Sequence, residues 1–139
     1  MFAAAHEPPV YRVGWRVLSG DANHKILLLG WANHDVLYRL LNDAEALVVP
    51  SICPENSPLI ILEALSVGTP VIASKRGGMP EIIEKVNGKL VFDDLEILRD
   101  IISSFSKEDF SSKMIKCVYG QYYSPEAYIR EYFEIIRNL

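Results

Sequence analysis

The apolar positions of this chain change period several times. Residues 26–29 form a short continuous apolar run stopped by Gly30. Over 35–41 the spacing turns helical, with Val36, Leu37, Leu40 and Leu41 on one side. Residues 46–49 are again continuously apolar and end at Pro50. A helix is predicted over 58–67: Pro58 suits a first turn, where its missing N–H costs nothing, and Gly68 suits the stop. Residues 70–74 read as a third strand, 80–84 as a short helix opened by Pro80, and 88–92 as a short edge strand. Three more helices are predicted beyond them: 95–105 with Asp93 or Asp94 as cap, 107–119, and one from Ser124 as N-cap to about Arg137. Tyr128, Tyr132, Phe133 and Ile136 give the last helix an apolar stripe, expected in the core.

Continuous apolar strands alternating with helices predict an α/β fold in three layers, a mainly parallel sheet covered by helices on both faces, followed by C-terminal helices. Residues 1–24 form a poorly defined lead, with an extended start at His6-Glu7-Pro8-Pro9, a strand candidate at 10–18 and a turn at 19–23. The domain proper is expected over 25–139. A length of 139 residues suits one domain. The net charge of −4 comes without a basic block, which argues against a nucleic-acid groove. No apolar run approaches the ~18 residues of a membrane span. Residues 1–5 lack the basic start of a secretion signal, so a cytoplasmic location is expected. Cys53 and Cys117 match no metal or redox motif and are expected as free thiols. No metal site is expected.

Candidate chemistry concentrates after two of the strands. The stretch 51–59 follows a strand and opens a helix whose first N–H groups lack intrahelical partners, an arrangement that attracts anions. Glu55 precedes that helix and Glu63 lies inside it. Glutamate is rarely buried unpaired, so Glu63 between Leu62 and Ala64 needs a partner. The two carboxylates can accept hydrogen bonds from ligand hydroxyls, as on a sugar or ribose; the plain alternative is a solvated loop residue and a helix-surface residue. Ser74-Lys75-Arg76-Gly77-Gly78 follows the next strand. Its glycines let the backbone come close to something, and its two bases suit a diphosphate; the plain alternative is a tight turn with solvated bases. The string of a phosphate-binding P-loop is absent. Both loops are expected on one edge of the sheet, framing a single cleft together with Gly30 and Trp31. Trp31 either stacks on a base or packs.

The stretch PSICPENSPLIILEALSVGTPVIASKRGGMPEII resembles the nucleotide-sugar-binding half of retaining glycosyltransferases of the two-Rossmann-domain class (GT-B). More narrowly it is similar to the glycogen-synthase and mannosyltransferase-like group. Glu55 and Glu63 match that group's Glu-x7-Glu motif. Glu63-Ala64, Gly68, 70–73, Gly77-Gly78 and Pro80-Glu81 match the string that follows. The likeness extends over 25–138 and is strongest over 44–92. It implies a hexosyltransferase-like activity on a nucleoside diphosphate sugar, with no further cofactor and generally no metal. Glu55 would face the donor sugar near the reacting carbon, and Glu63 would hold the ribose hydroxyls. Backbone N–H groups around Ser57, Pro58 and Leu59 would meet the sugar or diphosphate, although Pro58 itself has no N–H to offer. Gly30 and Ser74 would border the base and ribose.

The family's strand, Gly-Arg-like turn and diphosphate-gripping lysine are not found ahead of Lys25, nor is an acceptor-binding domain. The resemblance thus implies a Rossmann-like three-layer sandwich, truncated at its N-terminus relative to the family. Three readings follow. The chain is a donor-binding domain that needs an acceptor-binding domain from the same gene or a separate chain; or a non-catalytic nucleotide-sugar-binding or protein-interaction module; or, least in keeping with the missing surface, a complete small enzyme. A sheet lacking its first strands exposes an apolar edge or face, to be covered by residues 10–18 or by a second copy, and a homodimer is expected.

Overall fold

In the computed structural model, residues 30–138 are described. The readings placed on 1–29, including the strand candidates at 10–18 and 26–29, lie outside them. The chain divides into two compact units, Met1–Leu40 and Leu41–Leu139.

In the first unit, Asn33 starts the helix α1 (His34–Asp43), its carboxamide oxygen accepting the Val36 N–H at 3.0 Å. The same helix carries on into the second unit, where Leu41 is buried.

The second unit is an α/β fold built on a small parallel sheet flanked by helices. Its strands are β1 (Leu47–Val49), β2 (Val71–Ser74) and β3 (Val91–Phe92), in that spatial order. Leu47 pairs with Val71 and Val49 with Ala73; Ala73 in turn pairs with Val91. Parallel neighbours need a crossover. Helix α2 (Leu59–Val67) supplies the first and α3 (Met79–Asn87) the second. The central strand is buried throughout, as its unbroken apolar sequence requires.

Helix α2 ends as its sequence demands. Gly68 adopts φ 81°, the Gly68 N–H returns to Leu65 O at 3.0 Å, and the Thr69 N–H returns to Ala64 O at 2.9 Å. This pair of bonds satisfies carbonyls that a helix end would otherwise leave open. The Thr69 hydroxyl then donates to Leu41 O at 2.6 Å, tying the approach to β2 to the first residue of the second unit. A Cβ at Gly68 would strike Ser112, so glycine here also lets α5 come close.

Three helices complete the unit: α4 (Leu95–Ser104), α5 (Ser112–Tyr122) and α6 (Pro125–Arg137). Asp94 caps α4 through the Ile97 N–H at 2.8 Å, and Ser124 caps α6 through the Ala127 N–H at 3.1 Å. Helix α5 packs on α2 and α6 packs on α5.

Four expectations need correction. The helix expected over 80–84 runs from Met79 to Asn87. The strand expected over 88–92 is a 3-10 turn at Gly88–Leu90, held by the Lys89 N–H on the Asn87 side chain, and only Val91–Phe92 pair with β2. The helix expected over 107–119 is broken. Lys107–Asp109 form a 3-10 turn, Phe105 stacks on Phe110 at 5.3 Å, and α5 begins at Ser112 with Ser111 as cap. The apolar stripe of α6 is not core. Tyr128 is 74% exposed, Tyr132 57% and Phe133 55%; Ile136 is exposed too, and Ala127 alone in that helix is buried.

Candidate functional site

Because β1 and β2 are parallel neighbours, the loops after them leave the same edge of the sheet. Two hydrogen bonds join these loops. The Ser74 hydroxyl donates to Ser51 O at 2.6 Å, and the Gly78 N–H donates to Glu55 O at 2.8 Å. The glycine pair makes that approach possible. Gly77 adopts φ 55°, a region that L side chains resist. A Cβ there would run into the Glu55 carbonyl oxygen, with the Glu55 nitrogen only 2.7 Å away. At Gly78 it would run into Asn56 O. The close approach that glycines at 77 and 78 lead one to expect is therefore made to the chain's own Glu55-Asn56 backbone.

Helices α2 and α3 start behind this braced rim. Neither Pro58 nor Gly78, at their N-cap positions, provides a side-chain cap. The rim thus combines a carboxylate, two bases and two helix starts with positive dipole ends.

Each sequence-predicted residue has a definite place. Glu55 is exposed, and its Oε1 accepts the Ser51 hydroxyl at 2.9 Å. Ser57 is exposed and Pro58 buried, with Pro58 O accepting the Ile61 N–H at 3.0 Å. Leu59 is 73% exposed. Glu63 follows one turn later on that same side, away from the buried Ile61, Ala64 and Leu65, and is itself half-buried. Ser74 is buried, and its hydroxyl proton is directed to Ser51. Lys75 and Arg76 have exposed side chains. Their backbone N–H groups are occupied, by Phe92 O at 2.6 Å and Ser74 O at 2.8 Å. Gly30, with φ 64°, and Trp31, 73% exposed, belong to the first unit. Cys53 and Cys117 are free and exposed.

Sequence reading missed two participants. Ser51 holds the Glu55 side chain, and Asn56 offers the carbonyl that Gly78 packs against. A signal for Ser51 was available: a serine at a strand's carboxyl end, four residues before a loop glutamate, is a local donor within reach. Asn56 acts through its backbone, which leaves no signature in residue type. Among the described residues, no cluster of three or more His, Cys, Asp or Glu is arranged to hold a metal ion. No helix there is long and apolar enough to cross a membrane.

Comparison with known proteins bears on this geometry. The family model for "Glycosyl transferases group 1" matches residues 8–107. An uncharacterized glycosyltransferase of Methanocaldococcus jannaschii is 43% identical over 70 residues, which is 50% of this chain and 18% of that protein. An amylovoran biosynthesis glycosyltransferase of Erwinia amylovora is 31% identical, covering 66% of this chain and 24% of its own length. An Escherichia coli protein named as a candidate colanic acid biosynthesis glycosyl transferase is 32% identical, covering 74% of this chain and 26% of its own. The chain thus spans between 18% and 26% of the length of these curated relatives. The matched segment includes both strand-end loops, and the chain belongs to the group 1 glycosyl transferases.

Proposed function

We propose that the second unit is the donor-binding part of a retaining glycosyltransferase of the glycogen-synthase and mannosyltransferase-like group, and that its ligand is a nucleoside diphosphate sugar. The observation that carries this reading is the brace between the two loops. Gly77 and Gly78 pack on the Glu55-Asn56 backbone, so the Glu55 carboxylate and the Lys75–Arg76 turn are held on one rim. In this reading the sheet belongs to a three-layer Rossmann-like sandwich. Glu55 receives hydroxyls of the donor sugar. Glu63 receives those of the ribose. The starts of α2 and α3, with Lys75 and Arg76, stabilise charge on the diphosphate as it leaves. The acceptor attacks from the face the diphosphate departs from, which retains the configuration at the transferred carbon. The acceptor surface comes from a further domain, in the same chain or a separate one, and transfer requires it.

Isothermal calorimetry with UDP-, GDP- and ADP-glucose tests the reading. One of the three is expected to bind, and Glu63→Ala is expected to weaken it about tenfold, the loss of a charged acceptor for two ribose hydroxyls. Binding of none of them would end the donor-site reading.

A second reading draws on the exposed apolar side of α6: a non-catalytic module that meets another protein, or a second copy, through that face. Light scattering separates the copies, since a monodisperse monomer removes the homodimer.

A further inference from the structure

We infer that Ser51 is a positioning residue for the Glu55 carboxylate, and that the end of β2 acts on Glu55 through it. The inference rests on the donor-site reading given above.

The contacts form a chain. Ser74, at the end of β2, is buried, and its hydroxyl donates to Ser51 O at 2.6 Å. That bond fixes the main chain of Ser51 against the central strand. The Ser51 hydroxyl carries one proton and has two acceptors in reach, Glu55 Oε1 at 2.9 Å and Cys53 O at 3.2 Å. The carboxylate is nearer and charged, so it is the stronger acceptor. The main chain of Glu55 is held separately, its carbonyl receiving the Gly78 N–H at 2.8 Å. Both ends of Glu55 are thus tied to residues that leave β2: the backbone directly and the carboxylate through Ser51.

An exposed glutamate otherwise samples several rotamers and must be ordered when ligand binds. A carboxylate offers about four lone-pair sites. Ser51 occupies one of them on Oε1, which sets the direction of the carboxylate and leaves Oε2 for ligand hydroxyls. Ordering Glu55 before the ligand arrives lowers the cost of binding the sugar. A nucleoside diphosphate without the sugar does not call on Glu55 and gains nothing from this arrangement. The effect of Ser51 therefore belongs to the sugar increment, the ratio of affinities for a nucleotide sugar and its bare nucleoside diphosphate.

Calorimetry on the full chain with UDP-, GDP- and ADP-glucose beside UDP, GDP and ADP measures that increment. Ser51→Ala is expected to lower affinity for the bound nucleotide sugar about fivefold and to leave the nucleoside diphosphate unchanged, the size of one lost hydrogen bond. Ser51→Thr keeps the hydroxyl and is expected to restore the increment. In a Glu55→Ala background, Ser51→Ala is expected to have no further effect, because the two residues act as one. An unchanged increment in Ser51→Ala overturns the inference alone. So does an equal loss for sugar and diphosphate, which would make the hydroxyl a general support of the loop. A wild-type chain that binds the diphosphate without any sugar increment overturns the role given to Glu55, and the inference falls with it. Thermal unfolding of Ser51→Ala, expected at the wild-type midpoint, separates these outcomes from misfolding.

Discussion

In α2 the side chains of Ile61, Ala64 and Leu65 are fully buried, while in α6 Tyr128, Ile129, Tyr132, Phe133, Ile135 and Ile136 all lie exposed. Both helices are rich in apolar residues. Helix α2 is apolar almost all round and lies where neighbours meet it on several sides, contacting β1, β2 and α5. Helix α6 is amphipathic and meets α5. The Arg130 guanidinium donates to Gln121 O of α5 at 3.0 Å, and Ala127 is the one buried residue of the helix. Helical spacing puts Ala127, Arg130 and Glu134 on one side and the aromatic stripe on the other. The stripe therefore faces away from the helix's own unit. An apolar pattern tells which face of a helix can be buried, and the neighbouring elements decide whether it is.

The largest test of this contrast is in α2. Ile61→Ala removes a fully buried side chain from the helix that contacts both the sheet and α5, and is expected to cost about 2–5 kcal/mol in chemical denaturation. Such a loss is a large part of a domain's typical stability. A change below ~1 kcal/mol would mean that α2 is not the centre of the core.

Gly77→Ala comes next and tests the rim rather than the core. The substitution must hold a positive φ and also push a Cβ against the Glu55 carbonyl oxygen, so a loss of about 1–3 kcal/mol is expected. The rim should feel it as well: amide shifts at Glu55, Asn56 and Gly78 are expected to exceed those in β3. Shifts confined to position 77 and its chain neighbours would show that the two loops are not braced as described.

The same contrast explains how much of the molecule was legible in advance. The cap at Ser124 and the Gly68 stop could be read from sequence because those signals are local and the backbone groups they satisfy lie within a few residues. The parallel order of β1 and β2 followed from their unbroken apolar runs. The break after α4 was not legible, since it depends on a distant partner and on a local ring stack that helical spacing does not announce. Lys107 Nζ reaches across to Ala44 O at 2.6 Å, and Phe105 stacks on Phe110. At the site, Glu55, Gly77 and Gly78 stood out by residue type and position. What the glycines approach could not be read, because that partner is backbone. The outward turn of α6 was illegible for the reason given above.

Thr69→Val sharpens the account of the core at a smaller scale. The buried hydroxyl donates to Leu41 O at 2.6 Å, and an isosteric methyl leaves that carbonyl without this donor. About 1–2 kcal/mol is expected to be lost. A neutral result would show that Thr69 and Leu41 are held in place by packing alone.

Tyr123 lies just ahead of α6, half-buried between the end of α5 and the start of that helix. Burial, then the Glu81 carboxylate and the neighbouring Tyr122, push its pKa up from 10.0 to about 12. The unfolded chain gives up the proton first. The contribution of Tyr123 is therefore fully present below pH 10 and is lost as pH climbs from 10 towards 12. Tyr123→Phe is expected to show a shallower fall in stability than wild type across that window. Identical slopes would place the Tyr123 hydroxyl in water.

The smallest effect is expected in α6, and it bears most directly on the comparison. Tyr132 and Phe133 are more than half exposed, so Tyr132→Ser and Phe133→Ser remove little that is buried on folding. Each is expected to change stability by no more than about 0.5 kcal/mol. Both remove part of an exposed apolar stripe, the kind of surface that drives self-association, so both are expected to reduce concentration-dependent light scattering. A loss as large as that of Ile61→Ala would mean that the stripe is covered in solution. The two helices would then differ in what buries them, and no longer in whether they are buried.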